Sequence, residues 1–242
     1  MGNRVILIRH GHGLNDDRVM NYLIDAGFTP EIRKPFAGEK LEKLTDDIVG
    51  TVIYGGIYNA SDTELHPFLQ EEYRWINDAL NANIPVLGLC QGAQMIAHHF
   101  DEWTGPRNPA IYEFGYYKIT STGIDPDFMP DSLYVTQYHY HTFDLPKSAI
   151  LLASSNDYEN QAFRIGKNIY GFQFHPEITI EGFRRWQQMA GNDHHKPGSQ
   201  DISTQNKLMR EYDADQALWF YSFLEKFFDH KPATLRTTNM NA

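Results

Sequence analysis

The stretch "IPVLGLCQGAQMIAHHF", residues 84–100, constrains the fold of this chain more than any other. Val86, Leu87 and Leu89 form a short apolar run of the kind found in a strand buried on both faces. A helical pattern begins directly after Cys90, so the strand has to turn into a helix with no loop between them. Gly88 and Gly92 flank the cysteine two residues away on either side. A turn this tight needs small neighbours, because the side chain is thrust upward with little room beneath it. The helix N-terminus that follows favours negative charge, which helps a thiolate form. It also offers backbone N–H groups to an oxyanion. Taken alone, the pattern equally describes a buried structural cysteine, a common place for this residue.

The rest of the chain supports a strand–helix alternation around this turn. "RVILIR" and "DIVGTVIYGG" read as buried strands. "NDDRVMNYLIDAG" reads as a helix capped by Asn15 or Asp16 and stopped at Gly27, with Val19, Leu23 and Ala26 at helical spacing. "PFLQEEYRWINDAL" places Leu69, Tyr73, Ile76 and Leu80 on one helical face. Such alternation predicts a parallel α/β sheet with helices on both faces. In the middle third, "FGYYKITST", "SLYVTQYHY", "AILLASS" and "IYGFQF" read as strands joined by turns, a mixed or antiparallel extension of the same sheet. Residues 214–228 read as a C-terminal helix with Ala217, Tyr221, Leu224 and Phe228 on one face. Residues 191–207 read as a polar surface loop, and the segment from about Lys231 to Ala242 as a loose tail. Residues 1–242 are thus expected to form a single domain.

Composition excludes several function classes. The formal net charge is −10 with no Lys/Arg cluster, which argues against a nucleic-acid partner. No apolar run approaches the ~20 residues of a membrane span. Cys90 is the only cysteine, so no intramolecular disulfide can form and a reducing cytoplasmic setting is expected. Any thiol chemistry must therefore use Cys90. Adjacent histidines such as His98 and His99 point in different directions on a helix, and no metal-ligand spacing is present, so neither a metal nor a cofactor is expected.

Two further stretches bear on Cys90. "GFQFHPEIT" ends a strand at His175, and residues two apart in extended chain face the same side, so the Glu177 carboxylate can orient the His175 ring. "VIYGG" ends a strand at Gly55 and Gly56, where a backbone N–H can approach a substrate oxygen closely.

Together these pieces resemble the class I, triad-type glutamine amidotransferases in their stand-alone form. Gly88, Cys90, Gly92 and Gln94 match the family's G-x-C-x-G-x-Q motif, and His175, Pro176 and Glu177 match its His-Pro-Glu. Gly55 and Gly56 match its glycine pair, and Glu113 and Gly115 its Glu-x-Gly segment. The likeness covers roughly residues 5 to 187. It implies a flavodoxin-like open, mostly parallel sheet. It also implies that Cys90 attacks the glutamine side-chain amide to give a γ-glutamyl thioester, with His175 as base and acid and Glu177 orienting it. The N–H groups of Gly56 and Gln91 would form the oxyanion hole, and Gln94 and His139 would contact substrate. The family's His-Gly-Asp run stands here as His139, Tyr140 and His141, and Ile57 replaces a frequent proline. The substrate would be glutamine or another γ-glutamyl compound, with ammonia passed to an acceptor that could lie on a separate synthase partner. A γ-glutamyl peptidase or hydrolase, or a non-catalytic binding domain on the same fold, are the alternatives.

A rival resemblance stands at the N-terminus. Arg9, His10 and Gly11 match the Arg-His-Gly run of histidine phosphatases, but Gly13 replaces the hydroxyl residue that should follow and Asn15 falls one position early. "RHGHG" is therefore expected to be a strand end and loop.

Overall fold

The computed structural model describes residues 2–229; the expected tail from Lys231 lies outside them. Eleven strands and five helices are described, and nine of the strands form one sheet in the order β2-β1-β3-β4-β11-β10-β9-β6-β7. Its parallel part comprises β2 (Thr29–Arg33), β1 (Arg4–Ile8), β3 (Ile48–Ile53), β4 (Val86–Leu89) and β11 (Ile169–Phe172). Its antiparallel extension comprises β10 (Ala162–Ile165), β9 (Ala149–Ser154), β6 (Glu113–Ser121) and β7 (Ser132–His139). Strands β5 (Thr104–Pro106) and β8 (His141–Phe143) form a separate small pair. This is the flavodoxin-like sheet that the resemblance implies, with the antiparallel extension that the strand pattern predicts.

Successive residues of β1 feed different cores, because strand side chains alternate in direction. Val5 and Leu7 pack with Val19 and Leu23 of α1 (Arg18–Asp25) and with Phe220, Phe223 and Leu224 of α5 (Ile202–Asp229). Ile6 and Ile8 pack with Leu69 and Ile76 of α2 (Phe68–Asn81) and with Ala93 and Ile96 of α3 (Gln91–His99). Each fully buried aliphatic side chain contributes about 1.5–3 kcal/mol relative to exposure. Among the described residues no helix is long and apolar enough to cross a membrane.

Several local expectations are corrected. The cap of α1 is Asp17, whose carboxylate accepts from the N–H groups of Val19 and Met20. Asp16 pairs instead with Arg185 at 2.6 Å. Strand β2 gives a weak signal because Pro30 interrupts it, which an edge strand tolerates. Helix α4 (Ile180–Met189) is short, with polar residues at half its positions, and is capped by Thr179.

Residues 191–207 are only in part the surface loop expected. Gly191–His195 make a 3-10 turn and α5 already begins at Ile202, twelve residues before its expected start. The pairing of β6 with β9 covers only Thr120 and Ser121, so the other end of β6 has no strand on that side. The Gln200 side-chain amide accepts from Tyr116 N at 3.0 Å and donates to Tyr116 O at 2.6 Å, taking the place of a strand. The buried Gln205 donates to Phe114 O at 3.0 Å. Polar composition suggests a loop here, but the amides are spent on buried backbone.

Candidate active site

Parallel strands put their carboxyl ends on one edge, and the register sets which residues meet there. Ile8 lies beside Ile53, Ile53 beside Gly88, and Gly88 beside Gly171. The residues just past these strands are Arg9 and His10, Tyr54 to Gly56, Cys90, and Gln173 to Glu177 (the last group after Phe172), so they gather at one level.

Cys90 turns the chain from β4 into α3 with φ 50° and ψ −105°, a conformation that costs an ordinary residue roughly 1–3 kcal/mol. The turn is enforced from both sides. Cys90 N donates to Phe172 O at 2.7 Å, and Gln94 N donates to Cys90 O at 3.1 Å. A Cβ at Gly88 would lie 2.5 Å from the Gly92 backbone, and one at Gly92 would lie 2.1 Å from Ile53 O. The helix can therefore cross over the strands only with glycine at both places.

The His175 ring lies beside Cys90 where both meet Gly55, and its Nδ1 lies 2.8 Å from Glu177 Oε1. All three side chains are buried, and Trp186 packs edge-on against the ring at 4.8 Å. Burial pulls the pKa of His175 down. The Glu177 carboxylate and the Cys90 sulphur outweigh it, so the value rises from 6.5 to about 10. Such a balance favours the charged form of the His175 ring. The second Glu177 oxygen is buried and makes no hydrogen bond. The segment is anchored by Arg18, whose N–H donates to Glu177 O at 2.8 Å and whose Nη1 donates to Pro176 O at 3.0 Å and to Ile178 O.

The glycine pair lies against these groups. A Cβ at Gly55 would be 2.6 Å from His175 Cε1 and 3.3 Å from Cys90 Cβ. One at Gly56 would be 2.6 Å from Gln91 Oε1, which accepts from Tyr58 N at 3.0 Å. Gln91 is the first residue of α3, so its own N–H has no partner within the helix.

The remaining expected contacts are distributed unevenly. Gln94 is buried and donates to Gln173 Oε1 at 3.2 Å, while Gln173 Nε2 donates to Cys90 Sγ at 3.6 Å. The Gln94 amide thus reaches the cysteine through Gln173. His139 does not join the cluster through its ring. Its Nε2 is 2.9 Å from Glu113 Oε2 and its Nδ1 is 2.9 Å from His141 O, so neither ring nitrogen is free. A substrate contact from this segment would have to come from its neighbours.

"RHGHG" is the strand end and loop expected, with its first two residues enclosed. Gly11 to Leu14 are exposed, but Arg9 and His10 are buried. His10 Nε2 lies 2.8 Å from Glu72 Oε2 and its Nδ1 lies 3.0 Å from Tyr54 O. With both nitrogens used and the side chain fully enclosed, the ring has no face from which to attack a phosphate ester.

Sequence reasoning missed Gln173, although a signal was present. The same two-residue parity that pairs His175 with Glu177 also puts residue 173 on that side. Glu72 was also detectable, as a carboxylate between Leu69 and Ile76 on the buried face of α2. The groups identified in this region are Cys90, His175, Glu177, Gln173, Gln94 and the glycine pair. They can do nucleophilic acyl chemistry.

The family model described as "Glutamine amidotransferase class-I" matches residues 15–185. The chain is 29% identical over 186 residues to a glutamine amidotransferase-like protein of Salmonella typhimurium, YfeJ, covering 74% of this chain and 77% of that one. It is 35% identical over 145 residues to one of the subunits of the glutamine-hydrolyzing GMP synthase of Thermoplasma acidophilum, covering 58% of this chain and 68% of that one. Against the GMP synthase of Cytophaga hutchinsonii it spans only 19% of that protein's length. A crystal structure of a glutamine amidotransferase from Thermotoga maritima matches with a TM-score of 0.85 at 28% identity, covering 95% of this chain and 99% of that one.

Proposed function

Since the chain belongs to the class-I glutamine amidotransferase family, we propose that it hydrolyses the side-chain amide of glutamine through a thioester on Cys90. The observation that carries this reading is a buried His175 that lies beside Cys90 at Gly55 and within hydrogen-bond distance of Glu177. In the proposed reaction His175 takes the thiol proton, and the sulphur bonds to the amide carbon. The carbonyl electron pair moves to oxygen, where the N–H groups of Gly56 and Gln91 stabilise it. The oxyanion collapses, the C–N bond breaks, and His175 returns the proton to departing ammonia. Water, deprotonated by His175, then opens the thioester to give glutamate and regenerates the thiol. Glu177 keeps the ring in one orientation and balances the imidazolium charge. Gln94 acts at the amino-acid end of the substrate, and any contact there from the segment of His139 comes from that residue's neighbours. The acceptor of the ammonia would be a separate synthase partner, and no cofactor enters the chemistry.

The test is to assay ammonia release from glutamine beside amine release from γ-glutamyl peptides, in wild type and Cys90→Ala. Ammonia release that depends on Cys90 is the expected result. Amine release in its place would make the chain a γ-glutamyl hydrolase with the same triad. Equal activity in Cys90→Ala would end the thiol mechanism.

A further inference from the structure

We propose that His10, held by Glu72, is a positioning residue for the oxyanion loop Tyr54–Tyr58, a role for the "RHGHG" motif that rests on the acyl chemistry proposed above. The physical problem is that Gly55 and Gly56 have to present one N–H at a fixed point. Two consecutive glycines have more backbone freedom than any other pair. The loop is therefore only as well placed as its anchors.

His10 and Gln91 supply those anchors. At the entry, the Tyr54 carbonyl can only accept, so His10 Nδ1 donates to it, at 3.0 Å. The Tyr54 side chain is held as well: its hydroxyl donates to Asp17 Oδ1 at 2.9 Å, and Arg9 lies over its ring at 4.2 Å. At the exit, Tyr58 N is bound by Gln91 Oε1. Between them, a Cβ on Gly56 would fall 2.4 Å from His10 Cβ, so the loop rests on the histidine itself. On its other side Gly55 lies against Cys90 and His175. His10 is thus the wall behind the loop, and the nucleophile and base are in front.

Glu72 fixes the wall. Its Oε2 meets His10 Nε2 at 2.8 Å, and both side chains are fully enclosed. With Nδ1 already donating, Nε2 either donates to an ionised Glu72 or accepts from a protonated one. The pair is neutral as a unit in both arrangements, which permits its burial. Either way the ring has one orientation, with its Nδ1–H on Tyr54.

The experiment separates two reactions of the same sulphur. Alkylation of Cys90 by iodoacetamide needs the thiolate but develops no oxyanion. Addition to a γ-aldehyde analogue of glutamine forms a C–S bond, sends the carbonyl pair to oxygen and takes the His175 proton, so it needs the hole but no leaving group. Turnover of glutamine needs the hole and the leaving group. For His10→Ala, acylation (kcat/KM) and aldehyde affinity should both fall by about tenfold to a hundredfold, below the ~10²–10³ for losing a hole donor outright. Alkylation should stay within about threefold. His10→Asn retains a side-chain N–H donor and keeps the test open if the alanine variant does not fold. Its loss should be smaller. Glu72→Gln should be close to wild type, because its amide can donate to Nε2 and leave Nδ1–H in place.

Unchanged acylation and aldehyde affinity in folded His10 variants would overturn the proposal. So would a fall in alkylation by the same factor, which would mark a general structural role. If wild type binds the aldehyde but turns over neither glutamine nor γ-glutamyl peptides, the proposed function fails, while the aldehyde series still reads out the positioning role.

Discussion

Asp213→Ala tests how the fold holds the His-Pro-Glu segment. Asp213 lies on α5 and Arg18 opens α1, and both side chains are buried. Arg18 Nη2 reaches the two Asp213 oxygens at 2.8 and 2.7 Å, and Tyr116 OH donates to one of them at 2.8 Å. The rest of Arg18 is spent on the carbonyls of Pro176, Glu177 and Ile178. Removing Asp213 leaves a buried guanidinium without its counter-charge, which costs about 3–5 kcal/mol. The stranded Tyr116 hydroxyl belongs to the same network and is not added separately. At about 2–4 °C per kcal/mol for a chain of this size, melting should drop by roughly 6–20 °C.

The apolar double variant, Arg18→Met with Asp213→Leu, separates stability from catalysis. It buries no charge, so it should be more stable than Asp213→Ala. Its turnover should stay low, because the guanidinium no longer holds the carbonyls of Pro176 and Ile178. The assay is thermal melting together with glutamine kinetics on wild type and both variants. Melting of Asp213→Ala within about 2 °C of wild type would refute the buried-pair argument. Recovery of turnover along with stability in the double variant would refute the positioning of the segment by Arg18.

Four other outcomes are expected. A glutamine-like electrophile should leave one adduct per chain, absent in Cys90→Ala, as mass spectrometry would read it. For His175, the raised pKa makes its stabilising contribution complete below about 6.5 and lost as pH climbs towards about 10. Wild type should therefore lose melting temperature over that window more steeply than Glu177→Gln, and parallel curves would count against the pair. Glu177→Gln should also lower turnover by about tenfold to a thousandfold, and His175→Ala by more, with smaller changes in KM. Gln173→Leu removes the N–H directed at the sulphur, so iodoacetamide should react with Cys90 several-fold more slowly; an unchanged rate would show that the 3.6 Å contact carries no weight.

The parts of the fold legible in the sequence are those set by local chemistry. The turn at Cys90 is legible because Gly88 and Gly92 leave few other ways to join a buried strand to a helix. The parallel strands are legible because they are buried on both faces and read as unbroken apolar runs. The start of α5 is not, because residues 202–213 bury Gln205, Met209 and Asp213 at intervals of four, a helical stripe that mixes amide, thioether and carboxylate. A hydrophobicity pattern cannot register a face whose buried members are polar. Its amides and carboxylate serve β6 and Arg18, and those needs become visible only once the strands are in place.

The same division runs through the site. The side chains proposed to react are defined over short distances: Cys90 by its flanking glycines, Glu177 by its two-residue offset from His175. Those that hold them are joined across 62 residues for His10 and Glu72, 79 for Gln94 and Gln173, and 195 for Arg18 and Asp213. Nothing local marks such a pair, because each partner alone is an ordinary polar residue near a strand end or on a helix. Burial creates the requirement, since a charge removed from water has to find its counterpart wherever the chain brings it. The short motifs therefore carry the proposed chemistry, while its rate is expected to depend on contacts they do not contain. Grafting the cysteine turn and the His-Pro-Glu onto another parallel sheet would supply a nucleophile and a base. Without partners for Tyr54 and for the carbonyls of residues 176–178, the hole and the base would lack fixed positions, and the graft should alkylate far better than it acylates.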